Sequence, residues 1–133
     1  MIVVFDASTI VGAALKRDST PMRALLAARE RGTIALSNAV YDEIREVLSR
    51  PKFAAALSQD RQQEILELLS AAAIWAESDI RIVDCPDPDD NKYLELAVSS
   101  GASIIISSDR HLLNMSPWRS VMIVRPAEYM ALS

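Results

Sequence analysis

Residues 87–109 read DPDDNKYLELAVSSGASIIISSD, and they decide the architecture. A proline among acids opens a helix, Gly101 stops it, and SIIIS (103–107) follows as a β-branched strand. That strand is apolar on consecutive rather than alternate residues. Such a run is covered on both faces, the condition of a parallel sheet. Past it stands a charge, Asp109.

The same alternation extends outward in both directions. IVVF (2–5) is a first strand, with Asp6 at its tip. A Ser19-Thr20-Pro21 start opens a helix that runs to Gly32. TIALS (33–37) is a second strand. Ser37 or Asn38 caps the next helix, which ends before Pro51. PKFAAAL and SQDRQQEILELLSAAAI follow as two helical stretches. IRIVD (80–84) reads as a third strand, ending in Asp84. VMIV (121–124) is a fifth, and PAEYMAL closes the chain as a short helix. Strands alternating with helices predict an α/β fold with a parallel sheet covered on both faces.

The chain has 133 residues, half of them hydrophobic and 24% charged, a balance suited to one globular domain over 1–133. No apolar run approaches the roughly 18–20 residues of a membrane span. No basic segment precedes the first apolar stretch, so it does not read as a signal peptide. A lone cysteine, Cys85, forms no internal disulfide and suits a reducing, cytoplasmic setting. A net charge of −4 argues against coating nucleic acid by bulk charge.

In open α/β sheets ligands gather at the carboxyl ends of the strands, and acids gather there too. Asp6, Asp84 and Asp109 each follow a strand in this reading, and Asp87, Asp89 and Asp90 follow Asp84. Two helices add direction. In YDEIREVL, Val40, Ile44, Val47 and Leu48 make the apolar stripe, and Glu43 sits at its margin. Asp42 and Glu46 point away. In the 87–101 helix, Leu94, Ala97 and Val98 face inward, and Asp90 shares their face.

Each acid alone also reads as a cap, a turn residue or a solvated charge. As a set they repel one another and are costly to desolvate. A divalent cation relieves both costs. Oxygen ligands without a His or Cys cluster suit Mg²⁺ or Mn²⁺, and such sites activate water against phosphodiesters. His111, the only histidine, has no partner visible in the sequence and reads as a surface or structural residue. A haloacid-dehalogenase-type phosphohydrolase also starts from a strand-tip Asp, but it wants a second Asp where this chain has Ser8.

Four stretches, VVFDAST, YDEIREVLSRPKF, DPDDNKYLELAVSSGASIIISSD and VRPAEYM, resemble the PIN-domain ribonucleases. They are most similar to the branch that supplies toxins of bacterial toxin–antitoxin pairs. The resemblance spans about residues 2–130, with the motifs in family order. It implies catalytic, metal-holding acids at Asp6, Glu43, Asp90 and Asp109. Ser8, Ser107 and Asp87 would support them, and Asp87 is a nearby second choice for the third acid. Ser107 stands where many relatives have Thr, and keeps the hydroxyl. The resemblance further implies a three-layer α/β/α sandwich around a mostly parallel five-stranded sheet. It implies Mg²⁺- or Mn²⁺-dependent cleavage of RNA, a homodimer and a cognate antitoxin. Nearby cations, Arg45, Lys92 and Arg110 among them, are candidates for RNA contacts. An alternative from another class is a catalytically weak binding module whose acidic pocket receives an antitoxin arginine.

Overall fold

A computed structural model describes residues 1–132. Its centre is a parallel sheet of five strands, β1 (Ile2–Phe5), β2 (Thr33–Leu36), β3 (Ile74–Trp75), β4 (Ile104–Ile106) and β5 (Met122–Val124), in the order β3-β2-β1-β4-β5. Seven helices cover it in a three-layer α/β/α sandwich: α1 (Ala7–Leu15), α2 (Thr20–Arg31), α3 (Asn38–Leu48), α4 (Gln59–Ser70), α5 (Asn91–Ser100), α6 (Arg110–Leu113) and α7 (Pro126–Ala131). No helix among the described residues is long and apolar enough to cross a membrane.

The strand order explains where a site forms. The chain builds β1, β2 and β3 toward one edge, then crosses back to lay β4 against the other side of β1. Between β1 and β4 the direction of winding reverses, which leaves a crevice beyond their carboxyl ends. The register pairs Phe5 with Ile106. The Asp6 N–H then donates to the Ile106 carbonyl at 3.1 Å. Asp6 and Ser107 therefore emerge side by side.

Burial holds this register. Val3, Val4, Phe5, Ile104, Ile105 and Ile106 are all buried. Each large apolar side chain taken fully from water contributes about 1.5–3 kcal/mol. A one-residue slip would turn these side chains to the wrong faces. Helix starts are set by side-chain caps: Ser19 accepts from the Met22 N–H, Ser37 from Val40 and Ser58 from Arg61. Gly101 ends α5 at φ 73°, a left-handed conformation that favours glycine. Buried Arg61 ties α4 to α1 by donating to the Ala13 and Ala14 carbonyls at 3.0 and 3.1 Å. Those carbonyls lie at the last turn of α1, where a cation is favoured.

Three readings of the sequence need correction. The third strand is not at 80–84 but at Ile74–Trp75, paired with Ala35 and Leu36. Residues 80–84 are irregular: only Ile82 is buried there, while Val83 is 72% exposed. The helix expected to run through 74 stops at Ser70, and PKFAAAL forms only a short 3-10 turn at Pro51–Phe53. Two helices went unread, α1 and α6. Asp84 consequently ends no strand; its carboxylate accepts from the Trp118 indole N–H at 3.0 Å and lies 3.6 Å from Arg119.

Candidate metal centre

Asp6 is the floor of the crevice. It is 3% exposed and caps α1, accepting from the Thr9 N–H at 3.0 Å. The Ser8 hydroxyl lies 3.0 Å from each of its oxygens, and the Ser107 hydroxyl donates to Oδ2. Burial pushes the Asp6 carboxyl above the usual range, and these donors pull against it without prevailing. Ser107 also accepts from the Asp109 N–H at 2.9 Å. One hydroxyl thus links the first and last acids of the chain's site.

Asp109 caps α6, accepting from the His111 N–H at 2.8 Å. On the facing side, Asp87 caps a 3-10 turn (Pro88–Asp90) through the Asp89 N–H at 3.0 Å. Asp90 ends that turn and opens α5, but its side chain caps nothing. Asp90 is 8% exposed, and its Oδ2 is buried without a hydrogen-bond partner. Burial first, then the Asp109 carboxyl set against it and the charges of Asp109, Asp87 and Asp6, push its carboxyl up to about 8. The fold has brought acids together faster than it has supplied donors for them.

Glu43 is treated differently. Lys92 and the Tyr93 hydroxyl bond its two oxygens. The Tyr93 hydroxyl in turn accepts from the Ala7 N–H at 3.1 Å. Burial, then neighbouring Glu43, raise the Tyr93 phenol above its ordinary range. Glu43 is thereby compensated by protein, whereas Asp90 is not.

The acid set suits a hard divalent cation. Its donors are carboxylate oxygens, and one buried oxygen still lacks a partner. A group of Asp87, Asp90, Asp109 and His111 offers one ligand atom each, all within 4.8 Å of one another. Asp6 and Glu43 lie outside that tight group.

Among the residues singled out in the sequence, Asp6, Ser8, Ser107 and Asp109 form one connected network, with Asp87 and Asp90 facing it. Glu43 stands at the helix margin, as its position on the wheel indicated, and Asp90 faces inward. Lys92, read as a candidate RNA contact, is occupied by Glu43. Arg45 and Arg110 are exposed. Two residues were missed. Tyr93 lies three residues after Asp90, on the same helical face, a spacing that signals proximity. His111 lies two residues after Asp109, close enough for its Nδ1 to stand 3.5 Å from Asp109 Oδ1.

A family model described as a PIN domain matches residues 2–111. No curated protein matches the chain. Among solved structures it is similar to VapBC2 from Rickettsia felis, crystallised with a DNA fragment from their promoter. The identity is 15%, covering 92% of this chain and 97% of that one, at a TM-score of 0.62. It is also similar to PAE2754 from Pyrobaculum aerophilum, at 17% identity, 99% and 89% coverage and a TM-score of 0.62. At these identities the likeness speaks for the fold.

Proposed function

The chain belongs to the PIN domain family, whose members are typically metal-dependent nucleases, and from that premise we propose that it is an Mg²⁺- or Mn²⁺-dependent endoribonuclease, the toxin of a toxin–antitoxin pair. The observation that carries the reading is the convergence of acids at the switch point, with Asp90 buried and one of its oxygens unpartnered. A structural role would have left Asp90 with donors, as Asp6 and Glu43 have.

Asp6, Asp90 and Asp109 would hold the ion, with Glu43 beside them. When bound, such an ion would supply a water of lowered pKa and positive charge for the charge that develops on the phosphate. The chain's own residues set the geometry. Ser107 fixes Asp6 relative to Asp109, and Ser8 and the Thr9 N–H fix the rotamer of Asp6. Lys92 neutralises Glu43. Arg45 and Arg110, both exposed, draw the RNA backbone toward the crevice.

The partner part of the reading is supported by the VapBC2 complex among the structural neighbours. A cognate antitoxin silences the nuclease, and the toxin acts in the cytoplasm as a homodimer. Purified protein incubated with single-stranded RNA should cleave it with Mg²⁺ or Mn²⁺ and stop on chelation. Expression alone should arrest growth, and Asp90→Ala should relieve the arrest. Cleavage that persists in excess EDTA sinks the metal-dependent reading. Arrest that survives Asp90→Ala favours a module that acts by binding.

A further inference from the structure

The acids of the site differ in what the protein has already given them. Asp6 accepts from two hydroxyls and a backbone N–H, and Glu43 from a lysine and a tyrosine. Unused donor capacity is concentrated in the turn at 87–90 and the start of α6. Asp90 is buried there with Oδ2 unpartnered, Asp87 and Asp109 are half-buried, and His111 is exposed. These four run from buried Asp90 to exposed His111.

We propose that Asp87 and His111 join Asp90 and Asp109 in a mixed oxygen-and-nitrogen cation site at the mouth of the crevice, which favours transition ions such as Mn²⁺ over Mg²⁺. The proposal rests on the metal-dependent reading above and adds to it a ligand set. One ligand atom from each of the four lies within 4.8 Å of the others, a span that a single ion bridges. The Nδ1 of His111 is 3.5 Å from Asp109 Oδ1, already on the side where the carboxylates converge. Two short elements each present a pair: Asp87 with Asp90 across the 3-10 turn, Asp109 with His111 at the start of α6. Three carboxylates give the site its charge, and the imidazole gives it selectivity. Mg²⁺ prefers oxygen and keeps its waters, whereas first-row transition ions accept imidazole nitrogen readily. A site of the four acids alone would lack that preference.

Mn²⁺ serves as the probe, since its electron spin reports the atoms bound to it. In the wild-type protein, pulsed electron paramagnetic resonance of bound Mn²⁺ should show modulation from a coordinated nitrogen. H111A should abolish the modulation and weaken Mn²⁺ binding by about tenfold, with Mg²⁺ affinity, read by competition, changing less than about twofold. H111Q should behave as H111A does. D87N should weaken both ions. The His111 side chain is 58% exposed, so its variants keep the fold, which circular dichroism verifies. Tightly bound Mn²⁺ without nitrogen modulation, or H111A binding as tightly as wild type, overturns this ligand set and leaves the metal-dependent reading standing. Failure of the wild-type protein to bind Mn²⁺ at all overturns both.

Discussion

The two flanks of the crevice handle buried negative charge in opposite ways. On the α3 flank, Glu43 meets a lysine and a tyrosine, both from the first turn of α5. On the α6 flank, Asp90 meets Asp109 and Asp87, and is left with an unpartnered oxygen and a carboxyl that holds its proton up to about pH 8. The residues responsible are neighbours: Asp90, Lys92 and Tyr93 lie within one turn of chain. Changing which acid faces which neighbour decides whether a carboxylate is a finished structural contact or an open ligand. A fold that needed only stability would have completed both flanks.

The largest effect that breaks this contrast is chemical. Asp6→Asn keeps the shape and most of the hydrogen bonds but removes charge from the floor; RNA cleavage should fall on the order of a thousandfold or more. Full activity in this variant would leave the acids without a catalytic role.

The next effect is on stability against pH. Asp90 ionises less readily in the fold than at its ordinary 3.8, and Asp6 shifts the same way. The folded state therefore binds more protons than the unfolded chain between about pH 4 and 8. The contribution of Asp90 is full below about pH 4 and is lost as pH climbs through about 8. Urea unfolding in EDTA should show stability declining across that window, and saturating Mg²⁺ should flatten the decline. A metal-free protein equally stable at pH 5 and pH 8 would mean that the carboxylates do not strain one another.

A smaller effect makes the two flanks alike. Lys92→Met strips Glu43 of its cation and should destabilise the metal-free protein by about 1–3 kcal/mol. It should also enlarge the stabilisation that Mg²⁺ brings, since another acid then lacks compensation. The smallest is Tyr93→Phe, which removes the donor to Glu43 and the acceptor for the Ala7 N–H. A loss of about 1 kcal/mol is expected by thermal unfolding, with a smaller metal response than in Lys92→Met.

Much of this contrast could be read from the chain alone, and the rest could not, for reasons that differ by residue. Strands β1, β2, β4 and β5 are short apolar runs, buried throughout in β4 and over most of their length in the others, so their pattern survives in the sequence. Glu43 and Asp90 were placed by helical spacing against Val40, Ile44, Leu94 and Ala97, which the structure buries. The edge strand β3 was hidden because it is two half-exposed residues inside an alanine-rich run that resembles helix. Residues 80–84 misled in the reverse sense, with β-branched side chains that the fold leaves largely in solvent. Helix α1 contains Ser8, Thr9, Val11 and Gly12, weak helix formers. It is held by the Asp6 cap and by packing so close that a side chain at Gly12 would come within 3.2 Å of Pro21. Pairings such as Lys92 with Glu43 join residues 49 apart. No local pattern announces them.

Asp90→Asn tests the contrast most directly, by thermal unfolding of wild type and variant in EDTA and in Mn²⁺. The account predicts that in EDTA at pH 9, where Asp90 is ionised, the variant melts higher than wild type, since a repelled charge is gone. It also predicts that Mn²⁺ raises the melting temperature of wild type but hardly moves the variant. A variant that melts lower in EDTA at that pH, or a wild-type protein indifferent to Mn²⁺, would contradict it.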